Sequence, residues 1–226
     1  MARRSVLRSL RVLISSGPTR EPLDPVRFIS NYSTGYMGAQ LAATALARGH
    51  QVTVISGPGT ETLPRGARVI RVEQAAQMEA ALRRRARQAD VIIMAAAVAD
   101  FRAARPARRK LARKARGAGS RTLALEPTPD IVARLPRRPG QVVVGFALET
   151  DRVLARARRK LRAKRLDLVL AQDASRRAPF GRLPVRAWLL EPGGAAHPLG
   201  VAAKSRVARA LLDKIEGLWY GQIHSG

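Results

Sequence analysis

The chain has 226 residues, of which 46% are hydrophobic, and it contains no cysteine. This composition suits one large domain spanning 1–226, and it excludes disulfides, thiol catalysis and Cys-ligated metal sites. The 42 lysines and arginines stand against 16 acidic residues, a formal net charge of +26 that predicts attraction to polyanions.

The first half of the chain alternates between strand and helix patterns, which is typical of a parallel sheet. The first strand ends at Ser16-Gly17-Pro18, and a long polar loop follows to about Thr34. Gly49 is the expected C-terminal stop of the first helix. In chain order we predict a strand at 11–15, a helix at 39–48, strands at 52–55 and 69–72, a helix at 75–88 and a buried strand at 91–97.

The second half opens with a basic run, 102–116, that holds eight lysines and arginines and no acid. We predict that it is a mobile loop or lid when no polyanion is bound. Beyond it we predict strands at 122–125 and 142–145 around a short helix near 130–135, a helix at 152–165, a strand at 166–170, a hairpin of 185–190 with 195–199 and a closing helix at 202–218. The whole pattern predicts the α/β class: a Rossmann-like three-layer sandwich with a mostly parallel sheet and a small β-hairpin extension.

Several function classes can be weighed from motifs. The dinucleotide fingerprint G-x-G-x-x-G is absent after the first strand, and Ser56-Gly57 replaces the acid that would bind a ribose, which argues against a nicotinamide-dependent dehydrogenase. The P-loop motif is also absent. Gly35-x-x-Gly38 lies at a predicted helix start, where free amides can hold a phosphate. The same spacing also suits a tight turn with close helix packing, and alone it favours that interpretation.

The chain shows no pattern that implies a membrane or a resident metal. Its apolar runs are too short to span a bilayer and no leader opens it, so we expect a cytoplasmic protein with no membrane partner. The three histidines are scattered without metal-ligand spacing.

A series of motifs carries a family resemblance. Ser-Gly-Pro-Thr-Arg-Glu-Pro-Leu-Asp-Pro-Val-Arg at 16–27 closely resembles the opening of phosphopantothenoylcysteine synthetase. The resemblance continues in order through 33–38, 96–101, 129–132, 144–150 and 160–167, and it covers nearly the whole chain, from about 12 to 215. The first block is long and unusual, which makes the match specific.

The resemblance implies a ligase of coenzyme A biosynthesis that joins 4′-phosphopantothenate to L-cysteine. In the bacterial type the nucleotide is CTP, the intermediate is an acyl-cytidylate, and Mg²⁺ comes with the triphosphate. In this family the ligase domain usually follows a fused flavin-dependent decarboxylase domain. Only about ten residues precede the first strand here, so we expect a stand-alone ligase or a piece of a bifunctional protein. The resemblance also implies that the protein is a homodimer. The hairpin at 185–199 offers an apolar strand with Trp188 that needs a partner.

Site residues are assigned from the motif positions. Asn31 and Lys110 are the expected catalytic residues, Asn31 as an amide that holds the acyl-nucleotide and its developing oxyanion. The expected substrate-binding residues are Arg27, Asn31 and Gly35. The expected nucleotide-binding residues are Ala95, Ala96, Asp100, Lys110, Pro129, Asp130, Ile131, Val132, Phe146, Lys160 and Lys164.

Each assignment competes with a structural alternative. Asn31 can also form an Asx-turn or a helix N-cap, and Lys110 can be one more cation of a solvated run. Arg27 can pair with the substrate phosphate or with Asp24, and Asp130 can simply cap its helix. Only six of the 42 basic residues are lysines, and three of these fall on nucleotide positions, which favours function weakly.

The chain departs from the family pattern at three places. Tyr36 replaces the usual Lys or Arg, Gln172 replaces the usual Asn, and 182–184 lack the usual Ser-Asp-x-Asn. The first two bear on phosphate and nucleotide contacts, and the third on a loop.

The rival hypothesis is a nucleic-acid-binding protein, argued from the charge of +26. Aromatic residues make up only 4%, and no stacking platform or recognition-helix motif is present. The excess of arginine and alanine also fits a biased composition spread over the surface. We therefore expect at most non-specific, salt-dependent nucleic-acid binding.

Overall fold

The computed structural model describes residues 8–112, 122–175 and 179–224. The helices are α1 (Tyr36–Ala47), α2 (Ala75–Ala86), α3 (Val153–Ala163) and α4 (Lys204–His224), with a 3-10 turn at Val132–Arg134. The strands are β1 (Arg11–Ser16), β2 (Arg20–Pro22), β3 (Phe28–Ser30), β4 (Gln51–Ser56), β5 (Arg68–Arg71), β6 (Val91–Met94), β7 (Phe101–Ala103), β8 (Leu125–Pro127), β9 (Val142–Glu149), β10 (Leu168–Asp173), β11 (Val185–Leu190) and β12 (Ala196–Ala202).

The main sheet has eight strands in the order β12-β11-β10-β9-β6-β1-β4-β5. The six strands from β10 to β5 are parallel, and Ile14 of β1 lies opposite Val54 on one side and Ile93 on the other. From β1 the chain builds the sheet outward to β5 and then returns to add β6 on the other side. This reversal opens a crevice at the carboxyl ends of the strands, where such sheets bind ligands.

Helices cover both faces of the sheet because its central strands are apolar on both sides. Val12 and Ile14 pack in a cluster with α1 and α4, whereas Leu13 between them packs with α2 and α3. The predicted three-layer α/β fold is confirmed. In the part of the chain that the structure describes, no helix combines the length and apolarity needed to cross a bilayer.

The predicted edge hairpin is present. β11 and β12 pair antiparallel and extend the sheet beyond β10. Trp188 is half-buried and packs in the cluster that contains α2 and α3 of its own chain. Trp188 is thus partly covered by its own chain, and the homodimer expected from this hairpin stays a prediction.

Two short hairpins escape the sequence patterns. β2 pairs with β3 inside the predicted polar loop, and β7 pairs with β8, which begins at Leu125 rather than at Thr122. Each of these strands has only three residues and no clear alternation of apolar and polar side chains. Such strands are too short for a period-2 pattern to be recognised.

The basic run 102–116 is described only as far as residue 112, and its remaining residues lie outside the described part of the chain. The Ala107 amide donates to the carbonyl of Leu23 at 2.8 Å, and the Leu111 amide donates to Asp24 Oδ2 at 3.0 Å. Residues up to 112 are thus fastened to the loop after β2, and the mobility predicted for the whole run does not fit this first part.

Candidate active site

A cavity of about 570 Å³ opens at the carboxyl edge of the sheet. Met94 at the end of β6, Phe146 in β9 and Gln172 in β10 contribute to its wall, and the first residues of α1 contribute another side. The cavity therefore lies at the crevice that the strand order creates.

Most of the predicted site residues meet in this cavity. Two of the fourteen, Arg27 and Lys110, do not line it. The other twelve come from five separate stretches: Asn31 and Gly35; Ala95, Ala96 and Asp100; Pro129, Asp130, Ile131 and Val132; Phe146; and Lys160 and Lys164.

The start of α1 lies at the cavity, and the Tyr36 amide in its first turn donates to Thr34 Oγ1 at 3.3 Å. Gly35 precedes the helix with a φ of +85°, a conformation that favours glycine. A Cβ on Gly38 would lie 2.1 Å from Ser16 Oγ, which confirms the close-packing interpretation of this glycine. The first turn has no acidic residue, and Met37 lines the cavity, so the positive end of the helix dipole favours an anion there.

Two lysines enter the cavity from α3. Lys160 Nζ donates to the Phe146 carbonyl at 2.6 Å, and Lys164 forms an ion pair with Asp130. Burial, followed by the like charge of Lys164, lowers the pKa of Lys160. Because burial disfavours the charged form of Lys160, an anion that enters the cavity stabilises that charged form.

Asp130 caps a turn, as one of its two interpretations predicts, and it also pairs with a lysine. Its Oδ1 accepts a hydrogen bond from the Ala133 amide at 3.2 Å, so it caps the 3-10 turn, while its other oxygen holds Lys164. Burial by itself would raise the pKa of Asp130, but the hydrogen bonds from Lys164 and Ala133 outweigh it and lower the pKa.

Asn31 is exposed at the cavity wall, with its side-chain amide fixed by backbone. Its Nδ2 donates to the carbonyls of Ala97 and Val98 at 3.0 and 3.1 Å. Both amide hydrogens are therefore engaged, and Oδ1 is the group left to act as an acceptor. The predicted role as a donor to an oxyanion requires these bonds to be exchanged.

Arg27 and Lys110 belong to a neighbouring tether instead of the cavity. Arg27 donates to the buried carboxylate of Asp24 at 2.5 and 3.0 Å and to the Leu111 carbonyl at 2.7 Å. The sequence leaves Arg27 two partners, the substrate phosphate and Asp24, and in the structure Arg27 pairs with Asp24. Lys110 is exposed and precedes Leu111 in the tethered stretch. Lys110 therefore does not lie in the cavity, where its predicted contact with the nucleotide would be made.

Lys204, the first residue of α4, also lines the cavity, although no sequence motif points to it. Lys204 is buried and donates to the carbonyls of Pro179 and Gly181 at 2.5 and 2.6 Å. Burial lowers its pKa to about 8. It lies in no recognised motif, and its one distinguishing feature is that it is a lysine in an arginine-rich chain. Three of the six lysines line this cavity, and none of the described arginines does.

Two of the three departures from the family pattern, Tyr36 and Gln172, line the cavity, and 182–184 do not. Gln172 is buried, and Tyr36 has the guanidinium of Arg182 above its ring at 5.5 Å. Tyr32 and Phe180, which the sequence analysis did not single out, form an aromatic contact with ring centroids 5.8 Å apart at the same cavity.

Comparison with known proteins places the chain in a family. The family described as the DNA/pantothenate metabolism flavoprotein C-terminal domain matches residues 7–218. The chain belongs to this family. The resemblance drawn from the motifs is confirmed at the level of this C-terminal flavoprotein domain.

Relatives of the DNA/pantothenate metabolism flavoprotein domain include longer proteins. The chain is 44% identical over 173 residues to the coenzyme A biosynthesis bifunctional protein CoaBC of Escherichia coli strain K12, covering 75% of this chain and 42% of that protein. It is 39% identical over 213 residues to a protein named cysteine/cysteine sulfinic acid decarboxylase from an unknown prokaryotic organism, covering 92% and 58%. The chain thus spans about half the length of the curated relatives it matches.

A solved structure covers the same region. The crystal structure of the C-terminal domain of coenzyme A biosynthesis bifunctional protein CoaBC superposes with a TM-score of 0.78 at 32% identity, covering 96% of this chain and 98% of that one. The fold of the C-terminal flavoprotein domain is therefore shared over its full extent.

Proposed function

We propose that this chain is a phosphopantothenate–cysteine ligase that uses CTP. The observation that carries the proposal is the gathering of twelve predicted site residues, from five separate stretches, around one cavity at the crevice of the sheet. The kinship with proteins named for coenzyme A biosynthesis supports the same substrates.

The proposed reaction has two steps. A carboxylate oxygen of 4′-phosphopantothenate attacks the α-phosphorus of CTP, the bond to the β-phosphate oxygen breaks, and acyl-cytidylate and pyrophosphate form. The amine of L-cysteine then attacks the acyl carbon, CMP leaves, and the amine loses a proton. Both steps develop negative charge on phosphate oxygens, so cations and amide donors in the cavity favour them.

Lys160 and Lys164 are proposed to meet the triphosphate. Both already line the cavity, and each now has a protein acceptor, the Phe146 carbonyl and the Asp130 carboxylate. A triphosphate supplies a more highly charged acceptor than either group. Phe146 is proposed to flank the base, and the backbone at Ala95 and Ala96 to lie along the nucleotide.

Mg²⁺ is proposed to arrive with the nucleotide, as it does for most triphosphates. Among residues 8–112, 122–175 and 179–224, no three histidine, aspartate or glutamate side chains lie close enough to hold a metal ion. A metal carried by the triphosphate needs no such cluster. Its contribution in the bound complex is to neutralise phosphate charge.

The test is the complete reaction with matched controls. We expect the protein, given 4′-phosphopantothenate, L-cysteine, Mg²⁺ and CTP, to form phosphopantothenoylcysteine, pyrophosphate and CMP in equal amounts. Lys160→Ala should lower kcat/KM for CTP by at least about tenfold, because it removes a charge-assisted contact. Arg159→Ala removes one exposed cation from the same helix outside the cavity and should have little effect.

Three outcomes count against the proposal. Absence of the amide product overturns the ligase assignment, and a clear preference for ATP overturns the choice of nucleotide. Release of carbon dioxide from cysteine or cysteine sulfinic acid without any nucleotide would favour the activity named for the second relative instead.

A further inference from the structure

A second cavity, of about 620 Å³, lies between α3 and the turn that joins β11 to β12. Leu190 at the end of β11 pairs with Val169 near the start of β10, so this turn lies at the amino end of β10, whereas the first cavity opens at the carboxyl edge of the sheet. The two cavities share no lining residue. The volume of the second cavity is in the range of small-molecule sites.

Three arginines in and just after α3 line the second cavity. Arg158, Arg162 and Arg165 follow one another at spacings of four and three residues, which places them on one face of the helix. Lys160 and Lys164, which line the first cavity, lie on the opposite face. Like charges at spacings of three and four residues repel one another and destabilise a helix. An anion bound in the second cavity would offset this repulsion.

These cations face no negative charge of the protein. In the described part of the chain no carboxylate lines the second cavity, and the side chains of Arg162 and Arg165 have neither a hydrogen-bond nor an ion-pair partner there. Arg156 of the same helix differs, because it pairs with Glu149 and Asp151. The face of α3 that turns to the second cavity is thus the one whose charge the protein leaves uncompensated.

The backbone of Arg165 sets this residue apart from the general excess of arginine. Its φ is +48°, in the left-handed region, and it is the residue after the C-cap Lys164 of α3. Glycine is the usual residue at this position, as Gly49 shows after α1 with a φ of +81°. A side chain in the left-handed region is strained. The chain keeps an arginine at this cost, and that arginine lines the cavity.

The turn after β11 forms the opposite wall and leaves room for a ligand. A Cβ on Gly193 or Gly194 would meet no atom within 4 Å. Arg158 donates from Nε and Nη2 to the Gly194 carbonyl, both at 3.3 Å, and so holds the turn against α3. Glu191 of the same turn is paired with Lys214 and does not line the cavity. This wall is therefore backbone without a carboxylate.

We propose that Arg158, Arg162 and Arg165 form a second anion site, which binds a small soluble molecule with two or more linked phosphate groups. A planar guanidinium donates two parallel hydrogen bonds to a phosphate, and three guanidiniums without an acid match a ligand of several negative charges. The enclosure between a helix and a turn favours a small molecule over a long nucleic-acid backbone. The site is separate from the ligase cavity and does not depend on the proposed function.

Inorganic triphosphate is the probe, because it carries linked phosphates and no base. It is titrated by calorimetry into the Lys160→Ala protein, in which the first cavity has lost a cation. Adding Arg165→Gly to this protein should raise the Kd for triphosphate by at least about tenfold, since it removes a charged contact with phosphate. Glycine also relieves the left-handed strain, so the thermal midpoint without ligand should not fall.

Arg152→Gly is the matched control in the same Lys160→Ala protein. Arg152 also has a left-handed backbone, with a φ of +43°, and directly precedes α3, but it lines neither cavity. Its replacement removes the same charge and the same kind of strain from the same helix, and it should leave the Kd unchanged. Hydrogen exchange locates the site: triphosphate should slow exchange at 190–195 in the Lys160→Ala protein, and Arg165→Gly should abolish this protection.

Three results would overturn the inference. It fails if Arg165→Gly and Arg152→Gly weaken triphosphate binding equally, because net charge alone then explains the binding. It fails if the Lys160→Ala protein binds no triphosphate. It also fails if a single-stranded oligonucleotide binds far more tightly than triphosphate and loses that affinity in Arg165→Gly, which would make this face a nucleic-acid surface.

The same measurements keep the two proposals apart. Triphosphate binding that depends on Arg165, in a protein whose wild-type form makes no amide product, would refute the proposed function and support the second site. Normal ligation by a protein whose triphosphate binding does not depend on Arg165 would refute the second site alone.

Discussion

Lys160 is placed so that its charge depends on what occupies the cavity. Burial and the neighbouring Lys164 lower its pKa, and a bound triphosphate would raise that pKa again. At a pH between the free and bound pKa values, CTP binding therefore takes up a proton, and CTP affinity falls as the pH rises through this range.

Calorimetry in buffers of different ionisation enthalpy measures this uptake directly. The control is Lys160→Arg, because a guanidinium does not titrate in this range and should make the CTP affinity less dependent on pH. Equal proton uptake by the wild-type protein and Lys160→Arg would contradict the assignment of the titrating group.

Asn31 makes a second prediction at the level of one residue. Its amide is held by two carbonyls of the segment after β6, so Asn31→Ala should leave the core intact while removing an amide that can hold the acyl-nucleotide once those two bonds are exchanged. We expect turnover to fall by about a hundredfold, the effect typical of losing one positioned amide. Ser30→Ala, which removes a bond to the Thr19 carbonyl beside the cavity, is the control and should turn over normally. A folded Asn31→Ala protein with near-normal turnover would refute the role.

Residue identity alone indicated part of the site. Four residues occupy motif positions and meet at one cavity in the structure: Asp100, Phe146, Lys160 and Lys164. Lys204 could not be predicted in the same way, because its burial depends on how α4 returns to the carbonyls near Gly181. For the same reason a motif could not show whether Arg27 faces a ligand or Asp24.

At the scale of elements, the tether between the loop after β2 and residues 107–111 determines where Lys110 lies. The Asp24 carboxylate accepts hydrogen bonds from the side chain of Arg27 and from the Leu111 amide, and these bonds hold the pKa of Asp24 well below its usual range. A lowered carboxylate pKa contributes stability above the ordinary value near 4, which is lost only as the pH falls through the folded pKa. The tether is therefore intact at neutral pH.

Asp24→Asn should release this stretch, because it removes the charge that holds both groups. We expect faster tryptic cleavage between 102 and 112 than in the wild-type protein, and CTP with Mg²⁺ should slow cleavage in the wild-type run 102–116. Asp151→Asn breaks an exposed pair with Arg156 and is the control of equal charge. Unchanged cleavage in Asp24→Asn, or no effect of CTP, would show that this stretch is not a tethered lid.

The longer elements were predictable because their periodicity is strong. β1, β4, β6 and β10 are apolar and buried, and α2 has the spacing of an amphipathic helix. The hairpins β2–β3 and β7–β8 were not predictable, since their three-residue strands form through pairing between distant parts of the chain. Local propensity carries no signal for such pairing.

At the scale of the whole molecule, three exposed apolar residues of the described chain lie on these short hairpins. Phe28 and Phe101 are 46% and 51% exposed, Leu125 is 47% exposed, and β2 packs beside β7. Grouped apolar side chains of this kind are typical of an interaction surface. The predicted homodimer is therefore expected to use this face rather than the β11–β12 hairpin.

Sedimentation at micromolar concentration distinguishes the two faces. The wild-type protein should be a dimer, and the double variant Phe101→Ser with Leu125→Ser should be a monomer. Val201→Ser alters an exposed apolar residue on β12 and should remain a dimer. A monomeric wild-type protein would refute the dimer, and a monomeric Val201→Ser protein would place the interface on the edge hairpin.

In the proposed reaction the acid substrate attacks the α-phosphorus of CTP in this cavity. The most direct measurement uses 4′-phosphopantothenate labelled with oxygen-18 in its carboxylate, followed by mass spectrometry of the products. Attack at the α-phosphorus leaves the bridging oxygen on the nucleotide when the cysteine amine displaces it, so one labelled oxygen should appear in CMP and none in pyrophosphate. Label in inorganic phosphate, together with CDP, would show attack at the terminal phosphate and would contradict the account.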